Sequence, residues 1–277
     1  MRGPILALCW LASLAAPVAA APEAAPLPAI QQISYGNAPQ QFGRLHLPAG
    51  PGPHPVLALI HGGCWQKAIA DHEYLEPLAA ALARQGWAVW SIEYLGTDEP
   101  GGGWPNTFLD VANAIDQLRT LAPQHALDLK RLAFAGHSAG GHLALWAASR
   151  SQLPRNSRAA TGSPLLPQRV IGLAAITDLA SYQRDNRDCG AAIPFLRGSA
   201  RLDEVSPLQM LPPAAAVTLI RADDDAIVPA SQALDYGRAA TARGVKLSQV
   251  RIAGDHFSVA EPLDPGLQAL LDALAGR

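Results

Sequence analysis

Gly136-His137-Ser138-Ala139-Gly140 joins a predicted strand to a predicted helix. Upstream of this turn, Arg131-Leu132-Ala133-Phe134-Ala135 is apolar and typical of a strand, and downstream residues 141–149 have the pattern of a helix. A serine on such a turn is held with its hydroxyl projecting above the sheet, and the small residues around it let the chain bend sharply. The sequence therefore predicts that Ser138 is a nucleophile.

Apolar strand segments alternate with helical patterns on both sides of this turn. After β-like pieces at 32–35 and 43–47, the strand candidates are 56–60, 88–92, 132–135, 170–176, 216–220 and 247–252. The helical patterns cover 74–85, 107–121, 141–149, 231–243 and 265–275. This alternation predicts the α/β class, with a mainly parallel twisted sheet, helices on both faces and an antiparallel start at one edge.

The first 20 residues have the pattern of an export signal. Arg2 supplies a positive start, residues 5–16 are an uncharged apolar run, and Val18-Ala19-Ala20 offers small residues for cleavage. An uncleaved anchor and an internal helix are the rival interpretations, but the run is shorter than the ~20 residues that span a bilayer. We therefore expect a signal peptide over 1–20, cleavage near Ala20, and a periplasmic or secreted protein.

The rest of the chain is long enough for one domain with a deep core. We expect a flexible Ala/Pro-rich lead-in at 21–30 and a single α/β domain at 31–277. No later apolar run could cross a membrane, so we expect no stable membrane insertion after cleavage. A formal net charge of −2 with scattered Lys and Arg gives no sign of a nucleic-acid partner. The oligomeric state stays open.

Two cysteines remain after the predicted signal, Cys64 and Cys189. In an oxidising compartment they could form a disulfide, and the alternative is two unpaired, partly buried thiols. The sequence leaves both open. A catalytic thiol at Cys64 is not expected, because Ser138 has a far better setting for a nucleophile.

Four polar motifs follow predicted strands. They are His61-Gly62-Gly63-Cys64-Trp65, Ser138, Asp223-Asp224-Asp225 and Asp255-His256-Phe257. Ligands bind beyond the carboxyl ends of the strands in a parallel sheet, so motifs that share one site should all stand just after strands. We expect all four to meet at one edge of the sheet.

A serine hydroxyl needs a base that takes its proton, and the base needs a third group that fixes its tautomer. His256 is the best candidate base, because it follows the last strand after Gly254 and precedes the terminal helix. We expect His61 to brace its glycine loop and His137 to be directed away from the site by the turn. The remaining histidines fall in settings that favour structural or solvated roles.

Three adjacent aspartates compete to be the third group. Asp225 stands before Ala226-Ile227-Val228-Pro229, an apolar stop that would pin its loop beneath the histidine. Asp223 and Asp224 fit turn formers or helix-entry caps better. We therefore predict Asp225, with Asp224 as the next candidate and Asp178 as an outside one.

The tetrahedral intermediate of acyl transfer also needs donors for its oxyanion. We predict the backbone N–H of Ala139, directly after the nucleophile at a helix N-terminus, and those of Gly63 and Cys64. A Gly-Gly loop lets the main chain approach a substrate closely. An ordinary tight turn is the alternative interpretation of this loop.

With these motifs the chain resembles α/β-hydrolases of the esterase/lipase superfamily that carry a His-Gly-Gly-x-Trp oxyanion motif, near the carboxylesterases and kynurenine formamidases. The resemblance covers essentially all of the chain after residue 30 and rests on residues 61–65, 136–141, 225–229 and 255–257. It implies an α/β-hydrolase domain with the triad Ser138, Asp225 and His256. It also implies an oxyanion hole at Gly63, Cys64 and Ala139. Relatives often carry His-Gly after the acid-bearing strand, where this chain has Arg221-Ala222.

The leading hypothesis is a serine esterase that cleaves a small carboxylic ester through an acyl-enzyme. The alternatives are an arylformamidase, which hydrolyses an N-formyl aryl amide, and a non-catalytic binding module on a hydrolase fold. Trp65 and Trp104 are candidate walls of a substrate pocket, with core packing as the other interpretation. No metal-ligand spacing, Walker loop or dinucleotide fingerprint is present, so the sequence predicts no metal and no cofactor.

The cap and the segment 181–203 complete the expectations. The short connection from residue 176 to the acid-bearing strand argues against the large cap of true lipases, so we expect a small cap or none. Residues 181–203 follow a strand end and could arch over the site as a small lid, and a plain solvated connection is the alternative.

Overall fold

The computed structural model describes residues 29–185, 189 and 201–277. The predicted signal peptide at 1–20 lies outside these residues, as does the predicted lead-in except for its last two positions. Within the described ranges the chain forms one eight-stranded sheet in the order β1-β2-β4-β3-β5-β6-β7-β8. Its strands are β1 Ala29–Ser34, β2 Phe42–Leu47, β3 His54–Ile60, β4 Ala88–Ile92, β5 Leu127–His137, β6 Arg169–Leu173, β7 Ala216–Ala222 and β8 Leu247–Ile252.

The sheet is antiparallel at one edge and parallel through the rest. β2 pairs in antiparallel register with both β1 and β4, and the pairs from β4 across to β8 are parallel. Every residue of β4 and residues 56–60 of β3 are buried, as the near-continuous apolar runs predict for strands covered on two sides.

Helices cover both faces of the sheet. They are α1 Glu76–Arg84, α2 Asn106–Asp116, α3 Leu118–Gln124, α4 Ala139–Ala148, α5 Leu179–Arg184, α6 Leu202–Val205, α7 Ala230–Ala242 and α8 Gly266–Ala275. One apolar cluster packs α1 and α8 against residues such as Leu57 and Leu59 of β3. The other packs α2, α3, α4 and α7 against Val56, Ala58 and Ile60, which point to the opposite face. The predicted α/β class is confirmed.

Several element bounds differ from the prediction. The single helix predicted at 107–121 is two helices, because the chain tightens at Gln117, whose carbonyl accepts from Thr120 N three residues later. The strand predicted at 170–176 ends at Leu173, since Ala174 adopts φ 44° and leaves the sheet. β1 begins at Ala29, inside the predicted lead-in, because Ala29 pairs with Leu47 of β2.

The described part of the connection between β6 and β7 contains little regular structure. It contains α5 and α6, and residues 186–188 and 190–200 lie outside the described residues. The lid predicted for 181–203 therefore stays a prediction. In the described part of the chain, no helix combines the length and the apolar composition that a membrane crossing requires.

Candidate active site

Ser138 stands alone between the end of β5 and the start of α4. Its backbone has φ 55° and ψ −117°, a conformation that costs a non-glycine residue on the order of 1–3 kcal/mol. Hydrogen bonds hold it there: Ser138 N donates to Leu173 O at 2.8 Å, and Ser138 O accepts from His142 N at 3.0 Å. The flanking glycines are required, because a Cβ on Gly136 would collide with the backbone of Gly140.

His256 and Asp225 come together from the loops after β8 and β7. His256 Nδ1 lies 2.8 Å from Asp225 Oδ2, and the two side chains are each only 5 % exposed. Asp225 Oδ1 accepts the backbone N–H groups of Ile227 at 2.9 Å and Val228 at 2.8 Å. A carboxylate at Nδ1 keeps the proton on that nitrogen, which leaves Nε2 of His256 free to accept one.

Burial opposes the ionisation of Asp225, but the hydrogen bonds to its carboxylate outweigh this effect. The hydrogen bonds from His256 and from the N–H groups of Val228 and Ile227 hold the pKa of this carboxyl below its ordinary value. The other two candidates have different tasks or positions. Asp178 caps α5 by accepting from Ala180 N, and Asp224 is exposed. Among the three, Asp225 is the partner of His256.

Ser138 and His256 line the same cavity, whose volume is about 290 Å³. Within the described residues, no hydrogen bond joins the Ser138 hydroxyl to His256. Such contacts are often long in a substrate-free site and tighten when the substrate binds. Ser138 and His256 therefore share one cavity, but no hydrogen bond holds the two side chains together.

The glycine loop after β3 reaches the same cavity. Gly63 and Cys64 line it, and a Cβ on Gly62 would lie 3.4 Å from Ser138 Cβ. Gly63 and Cys64 have φ of 89° and 52°, so both residues adopt left-handed backbone conformations beside the cavity. Among the described residues, no acceptor takes the N–H of Gly63, Cys64 or Ala139. These three donors are the ones that the sequence predicted for an oxyanion.

A disulfide joins Cys64 to Cys189, with Cα atoms 5.0 Å apart. The structure thus selects the paired alternative for the two cysteines. Both residues line the cavity, so the disulfide is part of its wall and links the glycine loop to the segment after α5.

His137 contradicts the expectation that the turn directs it away from the site. It lines the cavity, and its ring centroid is 4.5 Å from that of His256. His137 Nε2 donates to His256 O at 2.9 Å, and Nδ1 is 3.1 Å from the Tyr74 hydroxyl. Burial lowers the pKa of His137 to about 3, with a further contribution from the charge of His256. It is a neutral support under the backbone of His256.

Trp65 and Trp104 do not line this cavity, which corrects their prediction as pocket walls. Trp65 has φ 59° and turns into the core, where its Nε1 donates to His142 Nδ1 of α4 at 3.1 Å. Trp104 packs edge-on against Phe108, with ring centroids 5.2 Å apart. The apolar walls come instead from the side chains of Ile69, Ala70, Tyr74, Ile227 and Phe257.

His61 braces its loop, as predicted, but the sequence did not identify its main partner, Glu93. His61 Nδ1 lies 3.0 Å from Gly62 O, and His61 Nε2 lies 3.1 Å from Oε1 of Glu93, a buried residue directly after β4. The only signal in the sequence is an acid at the end of a fully apolar strand. That signal does not identify the residues that it contacts.

One group of side chains in the described residues has the composition of a cation site. Asp71, His72 and Glu93 place their ligand atoms within 4.8 Å of one another. Lys67 Nζ already contacts two of them, at 3.3 Å from Asp71 Oδ2 and 2.8 Å from Glu93 Oε2. An ammonium group thus provides the positive charge that a metal would bring, and these residues do not fit a metal well.

Comparison with known proteins agrees with the fold. Esterase LipC of Mycobacterium tuberculosis is 30% identical over 240 residues, which cover 79% of this chain and 56% of LipC. The probable carboxylic ester hydrolase LipM of the same organism is 28% identical over 196 residues, 67% of this chain and 44% of LipM. The chain spans about half the length of these curated relatives.

Solved structures share the architecture at lower identity. Esterase B from Lactobacillus Rhamnosis (HN001) superposes with a TM-score of 0.78 at 22% identity, covering 90% of this chain and 84% of the esterase. A truncated carbohydrate esterase from gut microbiota gives 0.73 at 18% identity, covering 92% and 98%. The fold is that of the α/β-hydrolases. Residues 45–238 match the family model described as BD-FAE, and the chain belongs to the BD-FAE family.

Proposed function

We propose that this protein is a serine hydrolase that cleaves a small carboxylic ester through an acyl-enzyme intermediate. The observation that carries the proposal is the buried His256–Asp225 pair, which opens onto the cavity that Ser138 lines. The strained turn at Ser138 supports a nucleophilic role, because it presents the hydroxyl at a helix N-terminus. The relatives named esterase and carboxylic ester hydrolase support the reaction class.

In the first half-reaction, Ser138 Oγ attacks the ester carbonyl carbon while His256 Nε2 takes the hydroxyl proton. Asp225 holds the tautomer and stabilises the imidazolium. The carbonyl oxygen becomes an oxyanion near the N–H groups of Gly63, Cys64 and Ala139. When the intermediate collapses, the carbon–oxygen bond to the alcohol breaks, and His256 gives its proton to the departing oxygen.

In the second half-reaction, a water molecule replaces the alcohol. His256 removes a proton from the water, whose oxygen attacks the acyl carbon and forms a second oxyanion. The bond to Ser138 Oγ then breaks, Ser138 regains its proton from His256, and the carboxylic acid leaves. Each oxyanion donor is worth a factor of about 10²–10³ in kcat when it is removed from comparable enzymes.

The lining of the cavity favours an uncharged substrate with an apolar group. The side chains that line it are apolar or small except for His137, His256 and the hydroxyls of Ser138 and Tyr74. Ile69 and Phe257, which line this cavity, are 58% and 49% exposed, so the cavity presents apolar surface that a substrate could cover. We propose an ester whose acyl or alcohol part is small and apolar.

The direct test is a hydrolysis panel of p-nitrophenyl esters from acetate to decanoate, with N-formylkynurenine as the amide alternative. We expect turnover of short esters by the wild type and a loss of about 10⁶ in kcat for Ser138→Ala. Faster hydrolysis of N-formylkynurenine than of any ester would favour an arylformamidase. Ester turnover that survives Ser138→Ala would overturn the assignment of the nucleophile.

We also propose export, with cleavage near Ala20 and a single α/β-hydrolase domain over 31–277. The Cys64–Cys189 disulfide supports this, because disulfides persist in oxidising compartments. N-terminal sequencing of the protein released from cells that express the whole chain tests it. A mature sequence that begins at or near Ala21 is expected, and a chain that keeps Met1 inside the cells would contradict it.

A further inference from the structure

Glu93 is a fully buried carboxylate with five hydrogen-bond partners. Oε1 accepts from Tyr94 N at 2.9 Å and lies 3.1 Å from His61 Nε2. Oε2 accepts from Lys67 Nζ at 2.8 Å and from His72 N at 3.1 Å, and His72 Nδ1 lies 3.2 Å from it. None of these atoms faces the cavity at Ser138, and Glu93 is not one of the residues that line it.

The charge of Glu93 is retained in spite of its burial. Burial opposes ionisation, but the contacts with His61 and Lys67 and the N–H of Tyr94 hold the pKa of Glu93 well below its usual range. A buried carboxylate is tolerated only when it is paired and hydrogen-bonded. The contacts between the carboxylate and its partners therefore stabilise the arrangement of these groups.

Three of the four residues that contact the Glu93 carboxylate belong to one loop. His61, Lys67 and His72 lie at the start, the middle and the end of the segment 61–72, which connects β3 to the turn before α1. Gly63 and Cys64, the predicted oxyanion donors, lie inside this span and line the cavity. Glu93 thus fixes the loop on both sides of the two donors.

Neighbouring groups hold the same loop in the same place. The Tyr94 hydroxyl is 3.1 Å from His61 O and 3.2 Å from Gly62 O, and its ring stacks on His61 at 4.3 Å. Asp98 accepts the N–H groups of Lys67 and Ala68 at 2.8 and 3.0 Å. Glu93 is the buried centre of this arrangement and Asp98 is its exposed outer contact.

We propose that Glu93 is a positioning residue for the oxyanion donors: its buried carboxylate holds the loop 61–72 so that Gly63 and Cys64 keep their N–H groups aimed at the reacting carbonyl. This inference rests on the proposed function. Oxyanion donors act mainly in the transition state, so their displacement lowers kcat while KM changes little. A residue that only stabilised the fold would not separate the two constants.

The test compares Glu93→Gln with Glu93→Asp and with the control Glu76→Gln. Glutamine keeps the shape of the side chain but replaces one acceptor oxygen by an amide group that cannot accept from Lys67 or His61. We expect kcat for p-nitrophenyl butyrate to fall by a factor on the order of 10²–10³, as for the loss of one oxyanion donor, with KM within about threefold. Glu93→Asp keeps the charge and should recover part of the loss.

Glu76 is a matched control, because its carboxylate is paired with Arg44 at 3.2 Å and with His46 at 3.3 Å but contacts nothing in the loop. Glu76→Gln should keep wild-type kcat. A folded Glu93→Gln with wild-type kcat, or one that changes only KM, overturns the inference. Should Glu93→Gln fail to fold, Lys67→Met removes the ammonium contacts with Glu93 and Asp71 at a side chain that is 35% exposed. Its kcat should fall on the order of tenfold, and an unchanged kcat overturns the inference as well.

Amide hydrogen exchange separates this inference from the proposed function. Exchange at Gly63 and Cys64 reports the order of the loop whether or not the protein hydrolyses esters. We expect faster exchange over residues 61–72 in Glu93→Gln than in Glu76→Gln. Wild-type exchange in Glu93→Gln contradicts the positioning role alone, whereas a wild type without esterase activity contradicts only the proposed function.

Discussion

In the part of the chain that the structure describes, two histidine–carboxylate pairs are buried, and one of these two opens onto the cavity. His256 and Asp225 approach to 2.8 Å, and His61 and Glu93 approach to 3.1 Å. All four side chains are 5% exposed or less. A geometric search for a histidine held by an acid would find both pairs.

The two pairs differ in what surrounds the second ring nitrogen. His256 lines the cavity together with Ser138, and no described residue forms a hydrogen bond with its Nε2. His61 has Nδ1 3.0 Å from Gly62 O and its ring against Tyr94, and its acid is shared with Lys67 and His72. The comparison shows how the two histidines differ: the ring of His256, the proposed base, has a protein partner at Nδ1, whereas the ring of His61 has partners at both nitrogens.

Asp225→Asn should break the first pair with the largest effect after loss of the nucleophile or base. The amide cannot hold the tautomer of His256, and the loss in comparable triads is about 10⁴ in kcat. Steady-state hydrolysis of p-nitrophenyl butyrate measures it. Asp224→Asn, at the exposed neighbouring position, is the matched control and should leave kcat unchanged. Equal losses in both variants would contradict the assignment of the acid.

Phe257→Ala should distinguish the His256–Asp225 pair, which opens onto the cavity, from the His61–Glu93 pair, which does not. The ring of Phe257 lies 5.3 Å from that of His256 and lines the cavity, so its loss should raise KM for the hexanoate ester on the order of tenfold. Phe42 is the counterpart near the His61–Glu93 pair. Its ring lies 4.9 Å from that of His72, which contacts Glu93. Phe42→Ala should leave KM unchanged, and a similar increase in both variants would refute the substrate contact.

The smallest effect concerns His142, a fully buried histidine of α4. Burial lowers its pKa to about 4, although the contact with Val205 O opposes this shift. The unfolded chain takes up a proton near pH 6.5 and the folded chain does not. The free energy of unfolding should therefore fall as the pH drops from about 6.5 to 4, by up to ~1.4 kcal/mol per pH unit.

Urea unfolding of the wild type and of His142→Gln at pH 7, 5.5 and 4.5 measures this dependence. The substitution should remove part of the slope, and the remainder includes His137, whose pKa is lowered to about 3 for the same reason. An identical slope in both proteins would show that His142 already carries its proton in the folded state.

The sequence predicted the sheet because periodicity and turn residues are local signals. The bounds of β4 and β8 agree with the prediction to the residue. The strand-end rule also brought Ser138, Asp225 and His256 to one edge of the sheet. Chain order was sufficient for that, because the motifs follow strands whose carboxyl ends lie together.

The supporting contacts could not be read in the same way. His137 contacts His256 across 119 residues of chain, and Cys64 and Cys189 are 125 residues apart. Glu93 meets its loop partners from the neighbouring strand, and nothing in its own segment indicates them. Trp65 was misassigned because an aromatic residue at a strand end looks the same whether the backbone turns it outward or into the core.

The most direct test of the account is the rate at which a fluorophosphonate labels Ser138, followed by mass spectrometry of the peptide that contains it. The account predicts that His256→Ala labels no faster than the background seen in Ser138→Ala. His61→Ala, which removes the brace and keeps the base, should label slowly but measurably above that background. Wild-type labelling of His256→Ala, or background labelling of His61→Ala alone, would contradict the claim that His256 activates Ser138.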